Sequence, residues 1–197
     1  MSRILFICHR IPYPPNKGDK IRSFNFIRHL ATKHEIHLAF MVDDKDDLKN
    51  IAPLKQFSKN IFSEIISPKI QKATSAAQAL LTCQPITIPY FYSQSLQQKI
   101  DCFLDNNQID TIFCFSSPTA EYLYRSKHFD NSIKNACKIM DLVDVDSHKW
   151  RQYATTNMQP LRWLYAREAR LLLQYEKKIT TIFKHTLLVS EAEKKTS

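Results

Sequence analysis

The chain has 197 residues, 44% of them hydrophobic and 24% charged, which is the composition of a soluble globular domain with one sizeable core. Average usage would supply roughly 14 glycines. This chain has only Gly18, which excludes the GxGxxG and GxxxxGK[ST] phosphate loops. Its formal charge of +9 is uneven: 18 Lys/Arg stand against 15 Asp/Glu as far as His148, and 10 against 4 from Lys149 onward, so the last quarter favours phosphate-bearing partners.

The chain contains no run of about 18 apolar residues, and Met1 to Cys8 carries no small-residue cleavage site. Together these predict a cytoplasmic protein, neither secreted nor membrane-spanning. Cys8, Cys83, Cys102, Cys114 and Cys137 are odd in number, lie mostly inside apolar runs and lack metal or disulfide spacing, so they read as reduced core residues with no metal site.

In chain order, Arg3–Cys8 (RILFIC) is a short apolar run of the kind buried on both faces of a parallel sheet. The segment HRIPYPPNKGD stops it, and Asp19 is placed to cap a helix to about Lys33 with an apolar stripe of Ile21, Phe24, Ile27 and Leu30. Glu35–Val42 is a second strand, followed by a helix near Leu48–Phe57. Asn60–Ser67 is a weaker strand, and Pro68 opens a helix through about Leu81. Pro85–Tyr92 is irregular and aromatic, and Ser93 starts a helix to about Asp105. Asp110–Phe115 and Lys138–Val143 are strands, with a helix start at Ser117-Pro118 between them. A long amphipathic helix spans about Pro160–Phe183. His185–Ser190 is a last strand, and Ser190 with Glu193 forms a capping box.

About six alternations of strand and helix predict one α/β domain over residues 1–197, with a Rossmann-like, doubly wound, mostly parallel sheet covered by helices on both faces. Ligands of such sheets bind beyond the carboxyl ends of the strands. The loops to examine are therefore His9–Lys20, Ser116–Thr119, Asp144–Trp150 and the one after Ser190. In the first, Gly18 before a helix start exposes backbone amides, with Lys17, Lys20 and Arg22 adding positive charge, so the loop reads either as a phosphate cradle or as a solvated proline-rich turn. As the lone glycine, Gly18 is expected to need an unusual backbone or close approach by a ligand.

The segments ICHRIPYPPNKGDKIRSF, the VDD turn, FCFSS, DLVDVDSHKWRQYA, WLYAREARLLLQYE and LLVSEAE occur in that order. Together they resemble the N-terminal half of retaining glycosyltransferases of the GT-B fold. More narrowly, they are similar to the family 4 sugar transferases associated with PEP-CTERM/exosortase systems. The resemblance implies an acceptor-binding domain facing a second domain that holds a nucleotide-sugar, with Gly18 toward the donor diphosphate and no required metal or other cofactor. That second domain is absent from these residues, so the chain alone is expected to be inactive. It is then the partner of a separate C-terminal half, a piece of a longer enzyme, or a degenerate remnant.

By the same likeness Asp144 and His148 stand nearest the reacting sugar, Asp144 where many relatives carry histidine. Asp144 and Asp146 project to one side of an extended chain and admit three roles: sharing a cation, contacting substrate hydroxyls or capping a turn. His9 closes the first strand where an acceptor would lie. Ser116, Ser117 and Asp19 complete the binding candidates; Ser116 and Ser117 either contact substrate or cap the helix from Pro118. The acceptor implied is a glycan or a lipid-linked sugar. The basic side of the long helix, with Arg162, Trp163, Arg167, Arg170, Lys177 and Lys178, is either a solvated face or a contact with anionic membrane. The competing functional class is a non-catalytic basic module for nucleic acid or a protein partner. No helix-turn-helix, zinc knuckle or RNP-like strand supports the nucleic-acid version. A flavodoxin-like cofactor binder is a third class.

Overall fold

The computed structural model describes residues 1–67, 71, 74, 75, 79, 82–143 and 146–188. Among these, six short apolar runs form strands: β1 (Arg3–Cys8), β2 (Glu35–Val42), β3 (Asn60–Ile65), β4 (Thr111–Phe115), β5 (Cys137–Asp141) and β6 (His185–Leu187). All are parallel, in the order β3-β2-β1-β4-β5-β6. Strand order therefore reverses between β1 and β4, as in a Rossmann-like doubly wound sheet.

The α-helices whose bounds lie among the described residues are α1 (Gly18–Leu30), α2 (Thr87–Tyr90), α3 (Gln94–Asn106), α4 (Glu121–Tyr124), α5 (Ser132–Asn135), α6 (Asp146–Thr156) and α7 (Leu161–Thr180). A parallel sheet must be covered on both faces, and alternation within β1 shows how that is met. Leu5 and Ile7 pack with Leu96, Ile100 and Leu104 of α3 and Ile179 of α7. Ile4, Phe6 and Cys8 point the other way, to Ile27 of α1 and Leu54. The Phe6 and Phe113 rings stack at 4.5 Å on that second face.

Several local expectations change. Cys8 and Cys114 are buried as expected of core residues, but Cys83 and Cys102 are exposed. Lys17, not Asp19, occupies the cap position of α1, and it makes no capping bond. Ile21 lies 45% exposed, so the buried stripe of α1 centres on Ile27. Lys45–Gln56 winds as a 3-10 helix containing Pro53, which has no N–H for an α-helical bond; the Asp44 side chain caps it by accepting from the Asp46 amide. Ser93 does cap α3, through the Leu96 amide at 3.3 Å. Neither Ser116 nor Ser117 caps the short 3-10 turn Ser117–Ala120. Most of the helix expected from Pro68, and the Ser190–Glu193 capping box, lie outside the described residues.

Asp141 ties three segments together. It ends β5 with its side chain fully buried, and Oδ2 accepts from Arg22 Nε of α1 at 2.7 Å. Its Oδ1 accepts from the Val143 amide at 2.8 Å, and its backbone oxygen accepts from the Ser116 amide at 2.8 Å. Arg22 is held further by lying over the Phe26 ring. Removing the cation strands a buried carboxylate, whereas removing the carboxylate's charge leaves a partly exposed arginine. Arg22→Ala should therefore cost on the order of 3 kcal/mol of stability, and Asp141→Asn less, about 1–2 kcal/mol. Urea unfolding of both variants with an unchanged slope checks the order.

Candidate functional site

A cavity of about 670 Å³ opens beyond the carboxyl ends of β1, β4 and β5, at the point where strand order reverses. His9 and Arg10 enter it after β1, Ser116 after β4, and Leu142 and Val143 after β5. Gly18 and Asp19 reach it from the N-terminus of α1. Ile86, Thr87, Tyr90 and Phe91 line it around α2, and Lys149, Trp150 and Tyr153 line it from α6.

Two of these residues hold backbone conformations that side chains disfavour. Ser116 has φ of 79° and Val143 φ of 63°; valine is β-branched and especially unsuited to that region. Such conformations cost about 1–3 kcal/mol each and persist only where surrounding bonds determine them. Asp141 supplies those bonds, holding the amide of each. Gly18, by contrast, has no positive φ, and a methyl group built on it meets nothing within 4 Å. The expected need for an unusual backbone at the lone glycine is thus not met, and what remains is open space beside the helix end.

Charge inside the cavity is organised around Asp19. Its Oδ2 lies 3.3 Å from His9 Nε2 and 3.4 Å from Arg10 Nε. The hydrogen bond from His9 and the Arg10 charge hold the Asp19 carboxyl well below its ordinary range. His9 is buried, stacked on Phe115 and edge-on to Phe91, and desolvation lowers its pKa despite the neighbouring carboxylate. The ring is thus neutral at pH 7. Its Nε2 faces the Asp19 carboxylate, its Nδ1 has no partner in hydrogen-bond geometry, and a contact with the Phe115 backbone favours the charged ring.

Of the residues singled out in sequence, His9, Gly18, Asp19 and Ser116 meet in this cavity. Lys17 is exposed and does not line it, while Arg22 is bound to Asp141. Lys20 is buried with Asp47 at 2.9 Å. Ser117 is buried behind Ser116, and its hydroxyl has no hydrogen-bond partner among the described residues. His148 is not brought to the cavity; it lies with Arg151, Gln152 and Thr155 at a separate, shallow hollow on another face of α6. Asp144 lies outside the described residues, as does the side chain of Asp146. The cations lining the cavity are instead Arg10, after β1, and Lys149 of α6. The signal for Lys149, Trp150 and Tyr153 was present in their helical spacing, which places all three on one face of α6.

No protein-family model, curated protein or solved structure matches the chain. Among the described residues no group of three or more His, Cys, Asp or Glu is placed to hold a metal ion.

The walls are set by two buried glutamates of α7 that the sequence pattern does not betray. Glu168 accepts from the Ile86 and Thr87 amides at 2.7 and 2.8 Å and from the Thr87 hydroxyl at 2.7 Å, so its charge sits at the N-terminus of α2. Two turns further on, Glu176 accepts from the Ser147 hydroxyl at 2.6 Å and from its amide at 3.3 Å, fixing the start of α6. Arg167 adds a bond to the Ala79 carbonyl at 2.8 Å.

Two measurements test this arrangement. An amide group in place of the carboxylate cannot accept from both α2 amides, so Glu168→Gln should cost about 1–3 kcal/mol and speed hydrogen exchange at the Ile86 and Thr87 amides above other loop sites. In an NMR titration His9 should protonate below its ordinary 6.5, and Asp19→Asn should lower it further, because the carboxylate favours the charged ring. Both groups make acid destabilising. Below 6.5 the unfolded chain binds a proton that folded His9 refuses, and the contribution of Asp19, present above its unfolded value of 3.8, is lost as pH falls through it.

Proposed function

We propose that this chain is the acceptor-side domain of a retaining sugar transferase of the GT-B kind, its cavity receiving a glycan or lipid-linked acceptor beside the sugar of a nucleotide donor. The observation that carries this reading is the convergence, on one cavity at the switch point of the sheet, of the α1 N-terminus at Gly18 with the strained ends of β4 and β5. The open space beside Gly18 leaves room for a phosphate to approach the first amides of α1. Arg10 and Lys149 are the lining cations suited to a leaving diphosphate. His9, a buried ring in the lining, is the side chain assigned to a substrate hydroxyl.

In this reading the reaction proceeds on one face of the sugar, and the protein contributes chiefly positioning and stabilisation of the leaving phosphate. Asp144 follows cavity-lining Val143 in the chain and is the polar group assigned to the reacting sugar. His148 is left aside, because its ring belongs to the separate hollow. The protein works at the cytoplasmic face of a membrane or on soluble glycan, and donor binding belongs mainly to a second domain.

Titrating isotope-labelled protein with short glycans and polyprenyl-phosphate-linked sugars should give saturable shifts at the amides of His9, Gly18, Ser116 and Trp150. Absence of such shifts, with salt-sensitive binding of RNA instead, overturns the reading in favour of a nucleic-acid module. Paired with a donor-binding half, Gly18→Ala should keep transfer and Gly18→Val abolish it. Asp144→Asn should lower kcat by about a hundredfold while leaving Tm nearly unchanged.

A further inference from the structure

We propose that the hairpin formed by α6 and α7 is a docking element for an anionic membrane surface, its apolar tip entering the headgroup layer and its basic flanks resting on lipid phosphates. The proposal goes beyond the transferase reading and stands without it.

Two independent features of the hairpin support this. The first is apolar. Met158 is 86% exposed, Trp163 61%, Leu161 46% and Tyr153 40%, all close to the turn that joins the two helices, whereas the other exposed large hydrophobics, Met1, Ile21, Leu48 and Ile65, are scattered along the chain. The second is charge. Between Ser147 and Lys184 the only acidic residues are Glu168 and Glu176, and both are buried and bonded to the cavity walls. Exposed cations on the same stretch include Lys149, Arg151, Arg162, Arg170, Lys177 and Lys178. Arg167 is excluded from that set because its guanidinium turns inward to the Ala79 carbonyl.

An apolar, aromatic-bearing tip with cationic flanks and no exposed carboxylate between Ser147 and Lys184 suits the boundary of an anionic bilayer, where tryptophan and long aliphatic side chains are buried while the charges meet phosphates. A nucleic acid would use the charge but would give Met158 and Leu161 nothing to bury. No helix among the described residues is long and apolar enough to cross a membrane, so the contact is with the surface. Tyr153 belongs both to the exposed tip and to the cavity lining, and Trp150, Tyr153 and Tyr165 pack ring on ring between the helices. Docking by the tip would bring the cavity mouth to the bilayer.

The test is co-sedimentation with phosphatidylcholine vesicles and with vesicles enriched in phosphatidylglycerol. Binding should appear only with the anionic lipid, rise with its fraction and fall with added salt. Arg162→Glu combined with Arg170→Glu should weaken partitioning about tenfold, and Met158→Ser with Trp163→Ser should weaken it comparably at any salt. All four positions are exposed, and circular dichroism verifies that the variants fold. In a Trp150→Phe background Trp163 is the remaining tryptophan; its emission should shift to the blue with anionic vesicles and be quenched by brominated lipid. Failure to bind anionic vesicles overturns the proposal, as does binding that all four substitutions leave intact. Salt-sensitive binding of RNA without vesicle binding, or self-association abolished by Trp163→Ser without vesicle binding, overturns it in favour of those partners.

Discussion

A fully buried carboxylate at the end of β5 fixes the geometry on which everything else rests. An uncompensated charge in that position would be too costly to keep, so the Asp141 carboxylate must have its partners, the Arg22 guanidinium of α1 and the Val143 amide just beyond β5. Satisfying it draws α1 against β5 and turns the chain sharply at Val143, while the backbone oxygen of the same residue holds the exit of β4 at Ser116. The cavity is the space left between segments constrained in this way. Its walls are defined by electrostatic need and by backbone bonds as much as by apolar packing, which is concentrated deeper, on the two faces of the sheet.

Much of the fold was legible in the order of residues. RILFIC, EIHLAFMV and DTIFCF are short apolar runs bounded by turn formers, and in a parallel sheet such runs can only be interior strands. Since ligands gather at the carboxyl ends of parallel strands, the loops after β1, β4 and β5 could be named as one neighbourhood before any coordinates. Periodicity says less about where an individual cation goes. Arg22 and Lys20 look like ornaments of a phosphate loop, yet their partners Asp141 and Asp47 lie 119 and 27 residues away along the chain. Nothing local in the sequence announces such pairings. The same holds for α7, where Glu168 and Glu176 fall within a pattern of charges suggesting a solvated face, although both are buried. Pro53 lies inside Lys45–Gln56, where the pattern suggested an ordinary helix and the chain winds instead as a 3-10 helix.

The two ends of α7 face opposite demands. Along its buried side, carboxylates, Leu172 and Ile179 are committed to the interior. Near its start, Leu161 and Trp163 are left to solvent beside exposed Arg162. Interior satisfaction and exterior excess are thus segregated on one helix. Consumption of both glutamates by the interior is what leaves the outer surface so uniformly positive.

Because Glu168 and Glu176 are carried on a single rigid rod, the two sides of the cavity are mechanically linked. Any tilt or slide of α7 displaces the α2 side and the α6 side together, so the opening changes shape as one body and neither side moves alone.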